Sequence, residues 1–146
     1  MITDRDIQVL SAIARYYVLN RAQIQRLCFP EDQTGRATRR RLQSLVSANL
    51  VNRGRSPVFN PAGGSAWPTY YPSTLGVELL AQHFDDERYL RTPTRAPHPL
   101  YILHWLAVAD THIALDQAIA RQKQVCLQGW LNEWDEVDST AAQPEK

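Results

Sequence analysis

Arg36, Arg39, Arg40 and Arg41 fall together just ahead of Leu42, within the stretch GRATRRRLQSLVSANLVNR that spans residues 35–53. A guanidinium is a planar fork of donors that pairs two at a time with guanine O6 and N7 or with a phosphate, and glutamine pairs in the same way with adenine. Arg36, Arg39, Arg40 and Gln43 recur at three- and four-residue steps, so on a helix they share one side. Thr38, Leu42, Leu45 and Val46 take the opposite side and can anchor such a helix to a domain. Arg40 and Gln43 are placed to reach bases, and Arg36 a base or a phosphate. Arg41 sits at the flank, where the DNA backbone or an internal acid can take it. Arg53 and Arg55, a few residues on, are positioned to grip phosphates or the minor-groove side, and Trp67 to support that region or stack on a sugar. The bland alternative is a solvated helix face. The arginines' place on a third helix, in the basic half of the chain, favours nucleic acid.

Other groups that carry chemistry are sparse. His83, His98, His104 and His112 form no H-E-x-x-H and no i, i+4 pair. His104 and His112 could share a helix face, but a zinc ion there would need ligands such as Asp110, Asp116 or Cys126 from elsewhere. His104 beside Trp105 reads more simply as a half-buried helix residue with a backbone partner. Glu133, Asp135, Glu136 and Asp138 form an acidic group, which is commoner as a charged tail than as a magnesium site. Cys28 and Cys126 make no C-x-x-C pair and no disulfide framework, and read as small buried hydrophobes. Trp130 and Trp134, four apart, would share a face if helical and could close the core or form a dimer contact. No phosphate-binding glycine motif and no nucleophile elbow occurs. No cofactor, no metal and no enzymatic activity are therefore expected.

The elements that must hold the arginines can be read from caps and periodicity. Thr3, with Asp6 three residues on, opens a first helix on Ile7, Leu10, Ile13 and Ala14, ending near Tyr16 or Tyr17. Asn20 opens a second, with Ile24, Leu27 and Cys28 or Phe29 inside, and Pro30 closes it. Thr34 is the expected cap of the third helix, which runs to about Ala48. Asn49 takes the left-handed position after it. LVNRG reads as a strand, residues 56–68 as a Pro/Gly-rich loop in which Gly63 and Gly64 make a turn, and TYYP as the returning strand. A fourth helix follows Ser73 or Thr74 and ends near Phe84. A fifth, the longest, covers about Leu100 to Gln122 and is apolar on more than one side. A short strand is expected around Val125 and Leu127. The fold class predicted is mainly α: a winged helix-turn-helix with an additional C-terminal helix and a short strand. The divisions are a winged helix-turn-helix domain over 1–84, a linker over 85–99, a helical extension and dimer element over 100–138, and a flexible tail over 139–146.

The 146-residue chain carries a formal charge of only +1, but the charge is unevenly spread. Residues 1–60 hold ten arginines against Asp4, Asp6, Glu31 and Asp32, while the remainder is acidic. Two surfaces with different partners follow from that asymmetry: double-stranded DNA for the first, and a basic protein partner for the second. No apolar run is long enough for a membrane span and no leader pattern occurs, so a cytoplasmic protein is expected.

The stretches TDRDIQVLSAIARYYVLNRAQIQRLCF (3–29), ATRRRLQSLVSANLVNR (37–53) and TYYPSTLGVELLA (69–81), with LHWLAVADTHIAL (103–115), resemble the replication-relaxation family. The resemblance implies a winged helix-turn-helix associated with plasmid replication or mobilisation. It assigns the third-helix role to Arg36, Arg39, Arg40 and Gln43. Longer members of the family continue past the equivalent of WLNEWD with a nuclease-type fold. Glu133 matches an early acidic position there, and the later acid and lysine that cleavage needs are missing. The expected function is sequence-specific binding of double-stranded DNA by a homodimer, controlling replication or transcription on a mobile element. The alternatives are a protein-interaction scaffold and an accessory part or fragment of a plasmid nuclease or relaxase.

Overall fold

The computed structural model describes residues 1–55 and 67–135. Helix α1 (Asp4–Tyr16) is opened by a reciprocal capping box, in which Thr3 Oγ1 accepts from Asp6 N and the Asp6 carboxylate accepts from Thr3 N. Helix α2 (Arg21–Cys28) opens on a second box, formed by Asn20 and Gln23 at 2.9 Å in both directions. Each box satisfies two backbone donors that a helix start otherwise leaves orphaned, worth about 1 kcal/mol for the capping side chain.

Between the two helices lies a two-residue strand, β1 (Leu19–Asn20), too short to show an alternating pattern in sequence. After helix α3 (Arg36–Ser47), the chain forms β2 (Val51–Arg55) and β3 (Pro68–Pro72). Strand β3 is central, with Tyr70 opposite Leu19 of β1 on one side and opposite Arg53 of β2 on the other, all antiparallel. The order α1-β1-α2-α3-β2-β3 with sheet order β1-β3-β2 is a winged-helix-like fold on a mainly helical chain. The expected loop over 56–68, with Gly63 and Gly64, falls outside the described residues up to 66; Trp67 is exposed and Pro68 begins β3.

The N-cap of helix α3 is not the expected Thr34, although Thr34 Oγ1 accepts from Arg36 N at 3.4 Å. It is Gly35 at φ +75°, a left-handed conformation that glycine adopts without penalty. The capping role passes to Asp32, whose carboxylate accepts from Gly35 N, Thr38 N and Thr38 Oγ1 at 2.7–3.1 Å. At the other end, Asn49 takes a positive φ of 59°.

Helix α4 (Thr74–Phe84) is capped by Ser73, whose Oγ accepts from Gly76 N and donates to the Asn49 carbonyl. Gly76 is held to glycine by contact, since a Cβ there would lie 2.2 Å from the Leu50 carbonyl oxygen. A 3-10 turn (Glu87–Arg91) packs back on α4, and a second (Pro99–Tyr101) leads into helix α5 (Ile102–Ala120).

One core joins these elements. Ile7, Leu10 and Ile13 of α1, Ile24 of α2, Leu42 and Leu45 of α3, Tyr70 of β3, Leu80 of α4 and Ala109 and Ile113 of α5 belong to a single buried cluster. Gln23 ties α2 to α5, donating to the Leu106 carbonyl at 3.2 Å and to Asp110 at 2.7 Å. Arg15 and Tyr16 of α1 both bind Asp116 of α5.

Beyond α5 the expected strand at Val125 and Leu127 does not form, and residues 125–130 run without regular structure. Cys28 is buried as expected, and burial pushes its thiol up to about 11, but Cys126 is exposed. Trp130 and Trp134 do not share a helix face. Trp130 stacks on His112 at 3.9 Å, and Trp134 meets Tyr17 edge-on at 4.9 Å, so both lie against the body of the domain. Of the expected acidic group, Glu136 and Asp138 fall outside the described residues, as does the tail over 139–146.

Candidate nucleic-acid interface

Helix α3 is two-sided. Thr38, Leu42 and Leu45 are buried, whereas Arg36, Arg39, Arg40 and Gln43 are all exposed. None of those three arginines has an ion-pair partner among the described residues, although Arg39 Nε donates to the Gly35 carbonyl at 3.3 Å. Asp32, four residues before Arg36, is spent on capping the helix rather than on the arginine face.

Arg41 belongs elsewhere. Its guanidinium turns back to Thr3 and to Asp6, a carboxylate only 1% exposed. Of the two partners the sequence left open to it, the internal acid has taken it, which removes Arg41 from the outward set. Burial pushes the Asp6 carboxyl up, but the hydrogen bonds from Arg41 and Thr3 outweigh it and hold the group below the usual carboxylate range. The pair locks the middle of α3 to the start of α1 and so fixes which way the other arginines point.

Arg39 and Gln43 face an open groove of about 560 Å³ whose remaining wall comes from other elements. Arg53 of β2 and Arg21, the first residue of α2, stand across it, with Pro68 and Tyr70 of β3 between. Among the described residues, the groove lining contains three arginines and no acid. Tyr70 registers both of the flanking charges. Burial pushes its phenol up, while Arg53 and Arg21 pull it back toward the ionised form. Arg36 and Arg40 lie outside this groove, on the neighbouring row of the same exposed helix side. The Arg55 backbone is opposite Pro68, and its side chain is outside the described residues.

Arg21 is the residue that sequence reading passed over. Its only local signal is the Asn20 cap before it, which places it on the first turn of α2. Its proximity to Arg39 and Arg53 arises from the packing of α2 under α3 and β3. His104, expected to be half-buried with a backbone partner, is about half exposed, and its Nε2 lies 3.5 Å from the Glu133 carboxylate rather than on the backbone. No group of histidine, cysteine and acidic residues suited to a metal ion occurs among the described residues. Among the described residues, no helix is long and apolar enough to cross a membrane.

Fold and surface together define a winged-helix-like protein with an arginine-lined face on its third helix. The family model described as replication-relaxation matches residues 10–145, and the chain belongs to that family. No curated protein and no solved structure matches it significantly.

Proposed function

We propose that this chain binds double-stranded DNA through α3, in the control of replication or transcription on a plasmid or other mobile element. The observation that carries this reading is the convergence of Arg39 and Gln43 with Arg21 and Arg53, from three elements, on one groove with no carboxylate among the described residues that line it. A solvated helix face needs no such agreement between distant parts of the chain. In this reading α3 enters the major groove, with Arg40 and Gln43 at base edges and Arg36 and Arg39 at bases or phosphates. Arg21 and Arg53, and Arg55 at the end of β2, hold the flanking backbone and fix the docking angle. The protein works by recognition and needs no chemical step or cofactor.

A homodimer through α5 completes the proposal. The helix carries apolar residues on more than one side. Ile102, Ala109 and Ile113 are buried inward, while Leu103, Ala107, Ala114 and Ala118 share an exposed side at four- and seven-residue steps, with Asp110 and Thr111 between Ala107 and Ala114. Small residues along such a seam let two helices approach closely, and a second copy of this helix is the partner that matches it. Two copies would set their α3 helices roughly 34–36 Å apart, or a multiple of that, over a palindromic site.

The test is selection of bound duplexes from a random pool at two salt concentrations, with Leu103→Glu/Ala114→Glu as a dimer-breaking control. The expected product is an enriched palindrome that shrinks to a half-site in the control. Failure to enrich any sequence, with only weak binding at low salt, overturns the reading and returns the winged helix to a protein-docking role.

A further inference from the structure

A second concavity, of about 650 Å³, shares no lining residue with the arginine groove. It opens between α1, the Glu87–Arg91 turn, α5 and residues 127–135. Its volume falls in the range of small-molecule sites, roughly 300–1,000 Å³. Three features of its lining indicate what it would hold.

The first is two flat walls. Trp130 lies parallel to the His112 ring, with 6° between the planes, and Trp134 contributes a second indole. Such faces favour a planar ring, which stacks on them in offset or edge-on contact.

The second is unmet hydrogen-bonding capacity. His112 is only 3% exposed, yet its Nε2 has no hydrogen-bond partner among the described residues. The nearest carboxylate oxygen, on Asp116, is 3.7 Å away, beyond hydrogen-bond range. Ser11 Oγ is buried and unpartnered in the same way. Both residues line the concavity. Buried polar atoms are otherwise almost always paired, so two orphans on one cleft mark where a ligand's polar groups would be met.

The third is charge. Arg15 is held by Asp116 at 2.8 and 2.9 Å, and Arg88 by Asp86 at 2.8 Å. Asp135 is occupied by the backbone and side-chain amides of Asn132. Arg91 lines the same cleft and has no ion pair among the described residues, so it is the cation there left free to meet an anion, while the Asp135 carboxylate keeps its charge under the Asn132 amides.

We propose that this cleft is a binding site for a small planar aromatic acid, its ring against Trp130 and Trp134, its anionic group on Arg91 and a polar substituent meeting Ser11 and His112. The site spans the seam between α1 and α5, and it does not depend on how the chain meets nucleic acid. The experiment is calorimetric titration of the full chain with naphthoate and, separately, with the uncharged naphthamide, repeated in Arg91→Gln and Ser11→Ala. Circular dichroism confirms that each variant is folded. Saturable one-to-one binding of naphthoate is expected, about tenfold weaker for naphthamide and for Arg91→Gln, the loss of one charge-assisted contact. A smaller loss is expected for Ser11→Ala. No saturable binding of either probe overturns the proposal. So does equal binding of acid and amide that is indifferent to both substitutions.

Discussion

Arg41 of α3 closes onto Asp6 of α1, across 35 residues of sequence, while Arg40 beside it stands exposed. Two adjacent arginines in one run therefore do different work, and substitution should separate them. Arg41→Met leaves a buried carboxylate without its cation. The expected loss is on the order of 2 kcal/mol, below that of a fully buried pair because about a third of the Arg41 side chain remains in water. Arg40→Met removes no side-chain hydrogen bond or ion pair among the described residues and should leave stability within about 0.5 kcal/mol of the parent. Urea unfolding of the two variants checks the contrast, and equal midpoints would contradict the assignment.

Arg21 offers a test of the groove that does not touch α3. If it holds a phosphate, Arg21→Ala weakens binding about equally for every duplex and lowers the slope of log affinity against log salt by roughly 0.9. Gln43→Ala should instead relax discrimination at one base pair, by about 1–3 kcal/mol, with the salt slope unchanged. Fluorescence anisotropy over a salt series distinguishes the two patterns. An unchanged slope in Arg21→Ala removes that residue from the interface.

Much of this architecture was legible in local signals. Thr3, Asn20, Ser73 and Asn49 mark helix ends by chemistry that acts over a few residues, and Leu42 and Leu45 fix the inner side of α3 by spacing alone. What escaped is what depends on distance. Leu19–Asn20 is a strand only because β3 lies beside it, and two residues carry no period. Gln23 meets Asp110, Arg15 meets Asp116, and Arg21 comes to line one groove with Arg53, through packing between elements that no window of sequence contains. Thr34 was a reasonable cap by residue type, but the αL turn at Gly35 brings Asp32 into that role instead.

Gly76 provides a check on the fold. A methyl group at this position meets the Leu50 carbonyl at 2.2 Å, and that oxygen belongs to backbone leading into β2. Relief requires α4 to move away from the end of α3, opening the packing around Leu80 and Leu50. Gly76→Ala should lower stability by about 2 kcal/mol or more, although alanine is the better helix former by about 1 kcal/mol. Thermal melting is the measurement, and a stabilised Gly76→Ala variant would show that the close approach does not exist.

His112 predicts a dependence on pH with a definite sign. It is buried, whereas His83, His98 and His104 are exposed. Burial holds its imidazole below the ordinary value of 6.5; Asp116 opposes that shift and Arg15 adds to it. In the unfolded chain the ring gains its proton as pH falls through that ordinary value, and in the folded chain it does so only at lower pH. The unfolded state thus binds more protons in the interval, and stability falls with decreasing pH there. The contribution is complete above pH 6.5, is lost as pH drops toward the folded value, and levels off below it. Asp116 and Asp6 then add acid sensitivity of their own. Burial pushes each carboxyl up, but the hydrogen bonds from Arg15 and Tyr16 to one and from Arg41 and Thr3 to the other hold both below the usual carboxylate range. Denaturation midpoints measured between about pH 7.5 and pH 5 should decline in the parent chain and decline less in His112→Gln. Parallel curves would mean that the buried imidazole carries its proton as readily in the folded state as in the unfolded one.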